Sequence, residues 1–579
     1  MGNIGNLNVD RSTHNLKNRS SPEIMSASRI HQDLSTSPHR ESILEELNGS
    51  KSNMIRRAAG KIPHICIVGA GVAGLRCADV LLQQGARVTI LEGRNRVGGR
   101  LCQSDALGHL VDLGPNWIHG TDDNPMLDLA KKTKTLTMNW DGRQSVFDHL
   151  GHHMNDAEAA ANTEIVWTII ERAMKLSNEE SATIPAGKSL YDYFKEQVKE
   201  IFPFKHGIEA EDETKKKQEI ILQMAEMWGA FVGSPIQRQS LKFFWLEECI
   251  DGENLFVAGT YQKILAKIAE PALRTELKFG HKVTRIVSKG EQENTTVTVE
   301  IEGEESQTYD EVVMTAPLGW LKRNLDSFVP ELPRRLKEGI ESISYGHLDK
   351  VYINFPTAFW NTDNAGNFTS PSTAQNHSIP NVTATVAPIH QEIASLDPTH
   401  YPGFTFWVAP SYAPDVNPSR WNQEAVNLAA LPATTAHPTL LFYIFGPTSQ
   451  HIAKLLASNP ESAHKELLTA FFHPYFSRLP NYSASNPDHQ PRSILATAWA
   501  NDELAGNGSY CNFQVGLERG DQDVDVMRRG VPERGLWFAG EHTSPFVALG
   551  TVTGAYWSGE GVAKRIARAY DLSAGEVKE

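Results

Sequence analysis

His64-Ile65-Cys66-Ile67-Val68-Gly69-Ala70-Gly71-Val72-Ala73-Gly74 is the stretch whose reading decides the fold. Its five leading, largely apolar residues read as a buried parallel strand, and Gly69, Gly71 and Gly74 follow with G-x-G-x-x-G spacing. Leu75, Ala78, Leu81 and Leu82 then recur at helical spacing, so the turn opens a helix over 72–84. The first glycine permits a tight turn, the second lets backbone approach a pyrophosphate, and the third lets helix and strand pack closely. N–H groups at the helix start face the phosphates. Gly85 closes the helix, a second strand runs over 86–91, and Glu92 stands 18 residues past Gly74, where a carboxylate accepts bonds from ribose hydroxyls. The unit reads as a βαβ dinucleotide site.

Working outward, Arg94, Arg96 and Gly98-Gly99-Arg100 tip the choice between NAD and FAD toward FAD. Two glycines admit close backbone approach, and an arginine adds a fixed fork of donors for phosphate. Arg94 and Arg96 also suit a solvated surface. Residues 91–100 resemble the flavin amine oxidase pattern L-E-A-x-x-R-x-G-G-R, with Gly93 in place of the alanine. The resemblance continues along nearly all of the chain after Pro63. Asp112-Leu113-Gly114-Pro115-Asn116-Trp117-Ile118-His119-Gly120 is similar to the second flavin-contacting segment, in the W-I-H-G form of polyamine oxidases. Thr315-Ala316-Pro317-Leu318-Gly319 resembles the strand that returns to the cofactor, and Val283 the position whose backbone meets adenine. Residues 535–543 and 550–559 resemble the C-terminal flavin signature, which implies that Glu541 binds the ribityl chain and that Thr551 and Val552 lie beside the flavin ring. Independently, Gly554, Ala555, Ser558 and Gly559 give the last helix a small face for close packing, and its N-terminus could place a positive dipole end near the flavin.

The resemblance implies noncovalent FAD, an amine as substrate and dioxygen as the final acceptor. The implied reaction removes hydride from the carbon bearing a neutral amine, delivers it to flavin N5, and yields aldehyde, amine and hydrogen peroxide. It implies that Lys350 holds a water near flavin N5, although a lysine entering a strand by itself reads as a surface charge. His119 corresponds to the active-site histidine of polyamine oxidases, and Tyr510 to an aromatic wall of the amine site, with Trp499 opening that segment. The second wall position of monoamine oxidases falls on Thr551, as in some spermine oxidases and flavin histone demethylases, a departure that weakens the monoamine reading. Polyamines stay cationic in water, so the reacting nitrogen must be bound neutral while acids receive the distant charges. Glu247, Glu248 and Asp251 are candidate acids, or simply a solvated face. The cysteine that tethers flavin in monoamine oxidases is Ser509 here; Cys511 lies two residues on. The alternatives are oxidation of another amine in specialised metabolism and a catalytically silent FAD-binding scaffold. A flavin histone demethylase is disfavoured because no heptad insertion for a helical tower is seen.

The 579 residues suffice for two interleaved domains, and a charge of -14 disfavours nucleic-acid partners while favouring cations. Five cysteines, Cys66, Cys77, Cys102, Cys249 and Cys511, lack C-x-x-C spacing, so neither a disulfide framework nor a metal site is expected. With no apolar leader or spanning segment, a cytoplasmic chain without membrane attachment is expected. Nothing sets the oligomeric state. The expected architecture is α/β, with a Rossmann-like FAD-binding domain (61–124, 249–320 and 491–571) interleaved with an α+β substrate-binding domain (125–248, mainly helical, and 321–490). A disordered extension (1–60), a loop-rich insertion (361–438) and a tail (572–579) complete it.

Overall fold

A computed structural model describes residues 60–204, 208–290, 295–361 and 400–572. The readings made for 1–59, 362–399 and 573–579 lie outside the described residues. The first sheet has five strands in the order Leu536–Phe538, Glu311–Met314, His64–Val68, Arg87–Glu92, Glu276–Phe279, all parallel. His64–Val68 sits at its centre with Ile65, Cys66 and Ile67 fully buried, which is why this strand reads as an unbroken apolar run rather than an alternating one.

Helix Val72–Gln83 starts on Gly71, with no side chain capping its first turn. The third glycine is dictated by space: a Cβ on Gly74 would lie 2.1 Å from the carbonyl oxygen of Gly69. The last helix, Val552–Ala569, crosses this helix at equally close range, since a Cβ on Gly559 would lie 2.1 Å from the Ala73 carbonyl oxygen. These two helices thus meet closely, because the last helix presents bare backbone at Gly559.

The second sheet has six strands in the order Ser493–Ala496, Leu348–Asn354, Thr439–Phe445, Gln423–Asn427, Phe404–Trp407, Gln144–Phe147. Helix Asp156–Glu180 packs against its edge strand Gln144–Phe147, and Leu190–Ile201 and Ile208–Ala225 pack on that helix, as the expected helical segment. Leu190–Ile201 opens on a reciprocal capping box between Ser189 and Asp192. The described part of the stretch expected to be a loop-rich insertion differs from that reading: Phe404–Trp407 and Gln423–Asn427 are interior strands of this sheet. Prolines and asparagines around these short runs supply turns at their ends, and only pairing with Thr439–Phe445 reveals them as strands. Ser493–Ala496 also pairs with Leu348–Asn354 in the second sheet, so this sheet extends past the expected boundary at 491.

Candidate active site

Residues from both sheets line a single cavity of about 550 Å³. Its walls include Gly69, Gly71, Glu92, Arg94, Gly99, Arg100, Asn116, Trp117, His119, Val283, Lys350, Tyr510, Glu541, Thr551 and Val552. Of the residues singled out for the cofactor or for catalysis, Gly74 and Arg96 are not on the wall; Gly74 lies behind the turn, against Gly69 and Ile67.

At the glycine turn, nothing lies within 4 Å of the point a Gly71 Cβ would occupy, and a Cβ on Gly99 would meet only the Cα of Gly71, at 3.6 Å, so the wall here is bare backbone. Glu92 is fixed at the end of its strand by N–H bonds from Ala70 (2.7 Å) and Arg94 (2.8 Å). An uncapped helix start, a side-chain-free wall and a buried carboxylate together fit the pyrophosphate and ribose of a dinucleotide.

Both arginines at the cavity have partners within the protein. The Arg94 guanidinium pairs with both oxygens of Asp502, at 2.8 and 2.9 Å. Arg100 Nη1 donates to the carbonyl of Ser509 (2.6 Å), Glu541 Oε1 (3.0 Å) and the Tyr345 hydroxyl (3.1 Å). Burial works against the Glu541 carboxylate, but Arg100 and His542 hold its pKa below the usual value, so it is an anion at the cavity. Thr551 caps the last helix through an N–H bond from Gly554 (2.9 Å), bringing that helix start to the cavity.

The opposite wall belongs to the second sheet. Lys350 is buried; its Nζ bonds the Gly114 carbonyl and lies 5.6 Å above the Tyr443 ring. Burial lowers the Lys350 pKa and raises that of Asp112, each charge partly restoring the other. The Tyr443 hydroxyl donates to Asn116 Oδ1 (2.8 Å) and accepts from Trp117 Nε1 (3.2 Å), fastening the segment that carries His119. His119 Nδ1 meets Asn254 Oδ1 at 3.2 Å, and burial keeps the ring below the ordinary imidazole pKa, hence neutral near pH 7. The Tyr510 hydroxyl donates to the Phe231 carbonyl (2.7 Å), which turns the ring along the wall. Trp499 also reaches the cavity.

Glu247 and Glu248 line the cavity whereas Asp251 does not. Burial pushes the Glu247 pKa up to about 8, against a bond from the Phe513 N–H, and pushes Glu248 up to about 7 with Asp251 adding to the effect. The cavity also brings in Trp140, Phe404, Phe406, Glu424 and Tyr443, which sequence reasoning passed over. For Phe404, Phe406 and Glu424 the available signal was the alternation in Phe404-Thr405-Phe406-Trp407 and Gln423-Glu424-Ala425-Val426.

A family model of flavin containing amine oxidoreductases matches residues 72–567. The probable polyamine oxidase 4 of Arabidopsis thaliana is 27% identical over 316 residues, which are 54% of this chain and 62% of that protein. The chain thus spans about six tenths of the plant polyamine oxidases it matches, polyamine oxidase 3 of Oryza sativa (63%) among them. The bovine peroxisomal N(1)-acetyl-spermine/spermidine oxidase is 24% identical over 550 residues, covering 89% of this chain and 97% of that protein. A solved putrescine oxidase with putrescine bound shares the fold, with a TM-score of 0.57, 17% identity, and coverage of 87% of this chain and 99% of that one.

Proposed function

The chain belongs to the flavin containing amine oxidoreductases, and from that premise we propose that it oxidises polyamines: spermine, spermidine or their acetylated forms. FAD, when bound, supplies the acceptor for the hydride equivalent leaving the carbon next to the amine nitrogen. The observation that carries the polyamine reading is the pairing of buried acids, Glu247 and Glu248, with a neutral His119 in one cavity. These carboxyls, held toward the neutral form by burial, ionise as a substrate's remaining ammonium groups arrive beside them, while a neutral imidazole accepts a hydrogen bond from an amine without repelling it.

In this reading Gly69, Gly71, Gly99 and the helix start after Gly71 hold the pyrophosphate. Glu92 holds the adenosine ribose, Val283 the adenine, and Glu541 the ribityl chain. Asn116, Trp117, Thr551 and Val552 shape the ring end. Arg100 acts by fixing Glu541 rather than by contacting phosphate. Lys350 orients a water, His119 orients the amine, and Tyr510 forms an apolar wall that excludes solvent. FAD is held without a covalent bond, since burial and the neighbouring Glu541 keep the Cys511 thiol protonated. We assign the parallel sheet to the FAD-binding domain and the six-stranded sheet to the substrate domain, with the late boundary falling after Ala496. The five unpaired cysteines support a reducing compartment, which we read as cytoplasmic.

The test is anaerobic mixing of purified yellow protein with spermine, spermidine and N1-acetylspermine while following the flavin band. Bleaching by at least one of them is expected, with peroxide released when air is admitted. Bleaching by NADH together with inertness toward every amine would refute the oxidase reading.

A further inference from the structure

The chain carries a formal charge of -14, yet arginines gather where the last helix, Val552–Ala569, and helix Gly520–Arg529 flank Leu536–Phe538, an edge strand of the parallel sheet. Arg565 is half-buried and lies over the ring of Trp537, 5.4 Å from its centre, and Arg528 lies over that of Phe546 at 4.8 Å. Arg568, three residues past Arg565 and so beside it on the helix surface, is exposed.

These arginines are held unequally. Arg528 donates through Nε and Nη2 to the carbonyls of Thr543 and Ser544, at 3.0 and 2.6 Å. Among the described residues, the guanidinium groups of Arg565 and Arg568 make no hydrogen bond and no ion pair. Stacking on Trp537 uses the face of the Arg565 group and leaves the N–H donors around its edge unused. Asp525, the carboxylate whose charge reaches Arg565, is already bonded to Arg529 at 2.7 Å. Burial and then the like charge of Arg528 lower the Arg565 pKa to about 10, so it remains a cation near pH 7. Arg528 and Arg568 stand in the last turns of their helices, where the helix dipole favours a cation; Arg565 stands one turn earlier and gains little from it. An uncharged side chain would cover Trp537 at lower cost, so packing gives no reason for a desolvated cation beside a second one. An anion that arrives with its own oxygens does.

We infer that Arg565, together with Arg528 and Arg568, forms a binding site for a multiply charged oxyanion, the phosphate or diphosphate group of a small ligand. The planar fork of Arg565 takes two oxygens side by side, and the flanking guanidinium groups balance the remaining charge. None of the three arginines lines the cavity, so the site is separate from that of the amine and its inference stands apart from the amine-oxidising reading. Through Arg528 it is tied to the carbonyls that follow Glu541-His542, at the cofactor end of the fold.

The test uses the flavin-loaded enzyme, in which the dinucleotide cradle is filled and cannot take the probe. Thermal melting near pH 7 is recorded against inorganic pyrophosphate and inorganic phosphate, with chloride and acetate at matched ionic strength as references. Pyrophosphate should raise the melting temperature beyond either reference, with the concentration dependence of a bound ligand. In Arg565→Gln its Kd should weaken about tenfold to a hundredfold, and Arg565→Lys, which keeps the charge and loses the fork, should fall between. Stabilisation by acetate equal to that by pyrophosphate, or the same pyrophosphate Kd in the parent and Arg565→Gln, overturns the site. If Arg565→Gln loads no flavin, Arg568→Gln at the exposed position serves instead: about threefold weaker pyrophosphate binding is expected, and an unchanged Kd refutes the assignment.

Discussion

Gly71→Ala and Gly74→Ala add the same methyl group three residues apart and should fail in opposite ways. At Gly74 the new carbon would lie 2.1 Å from the Gly69 carbonyl oxygen and 3.2 Å from Ile67 Cγ2. Backbone cannot rotate aside like a side chain, so helix and turn must separate by roughly 1 Å, an overpacking cost of about 1–3 kcal/mol. At Gly71 the methyl meets nothing within 4 Å, and the backbone, at φ -74, already suits alanine. Losing the glycine cap and stiffening the unfolded chain are effects of a few tenths of a kcal/mol with opposite signs, so protein without FAD should melt nearly unchanged. The methyl instead occupies the wall on which the pyrophosphate rests, which should weaken FAD about tenfold to a hundredfold, or about 1.4–2.8 kcal/mol. The assay is thermal melting over a series of added FAD concentrations, since ligand stabilisation grows as RT ln(1 + [L]/Kd). Gly74→Ala should lower the melting curve at every FAD concentration; Gly71→Ala should shift only its FAD dependence. If Gly71→Ala binds FAD like the parent protein, the phosphates do not pass Gly71 and the cradle is misassigned.

Lys350→Met should retain FAD and slow flavin reduction or reoxidation, as read by stopped-flow absorbance; loss of FAD and fold together would make Lys350 structural. His119→Ala should change amine kinetics more than flavin content, and identical kcat/KM profiles against pH for parent and variant would remove His119 from the site. Acid precipitation should release free FAD, whereas flavin mass on the peptide containing Cys511 would show a covalent link. Glu247, with its folded pKa raised to about 8, binds more protons folded than unfolded between its ordinary value near 4.5 and 8. Stability is therefore lost as pH rises through that window. Glu247→Gln should melt progressively above the parent from pH 5 to pH 8 in the absence of amine, and a constant offset across that range would contradict the assignment.

The parallel sheet was legible because its cues are local. A buried strand, three glycines and Glu92 occupy one short run, and the other proposed cofactor residues lie in segments of recognisable pattern. The second sheet was only partly legible. Gln423–Asn427 alternates too briefly to stand out from its Pro- and Asn-rich surroundings, and its meaning comes from pairing with Thr439–Phe445. Glu424 could not be found as a site residue, because facing the cavity depends on register, and a slip of one residue would turn it to the other side. Arg100 shows the converse: its segment stood out in the sequence and the residue lines the cavity, but its partners Ser509 and Glu541 lie more than 400 residues away. No local pattern distinguishes an arginine that touches phosphate from one that holds a carboxylate in place.

The strand order of the parallel sheet also sets a timetable for synthesis. Glu311–Met314 borders His64–Val68 on one side, but its other neighbour, Leu536–Phe538, is encoded 222 residues later. At translation rates of about 5–20 residues per second, that edge emerges from the ribosome about 10–45 s before the strand that covers it. Throughout the wait, an unpaired apolar edge is available to other nascent chains, and the cofactor cradle lacks Glu541 and the last helix. Chaperone demand during synthesis should thus peak in the long middle stretch of the message, and a chain released before residue 541 has no means of completing its own cofactor site.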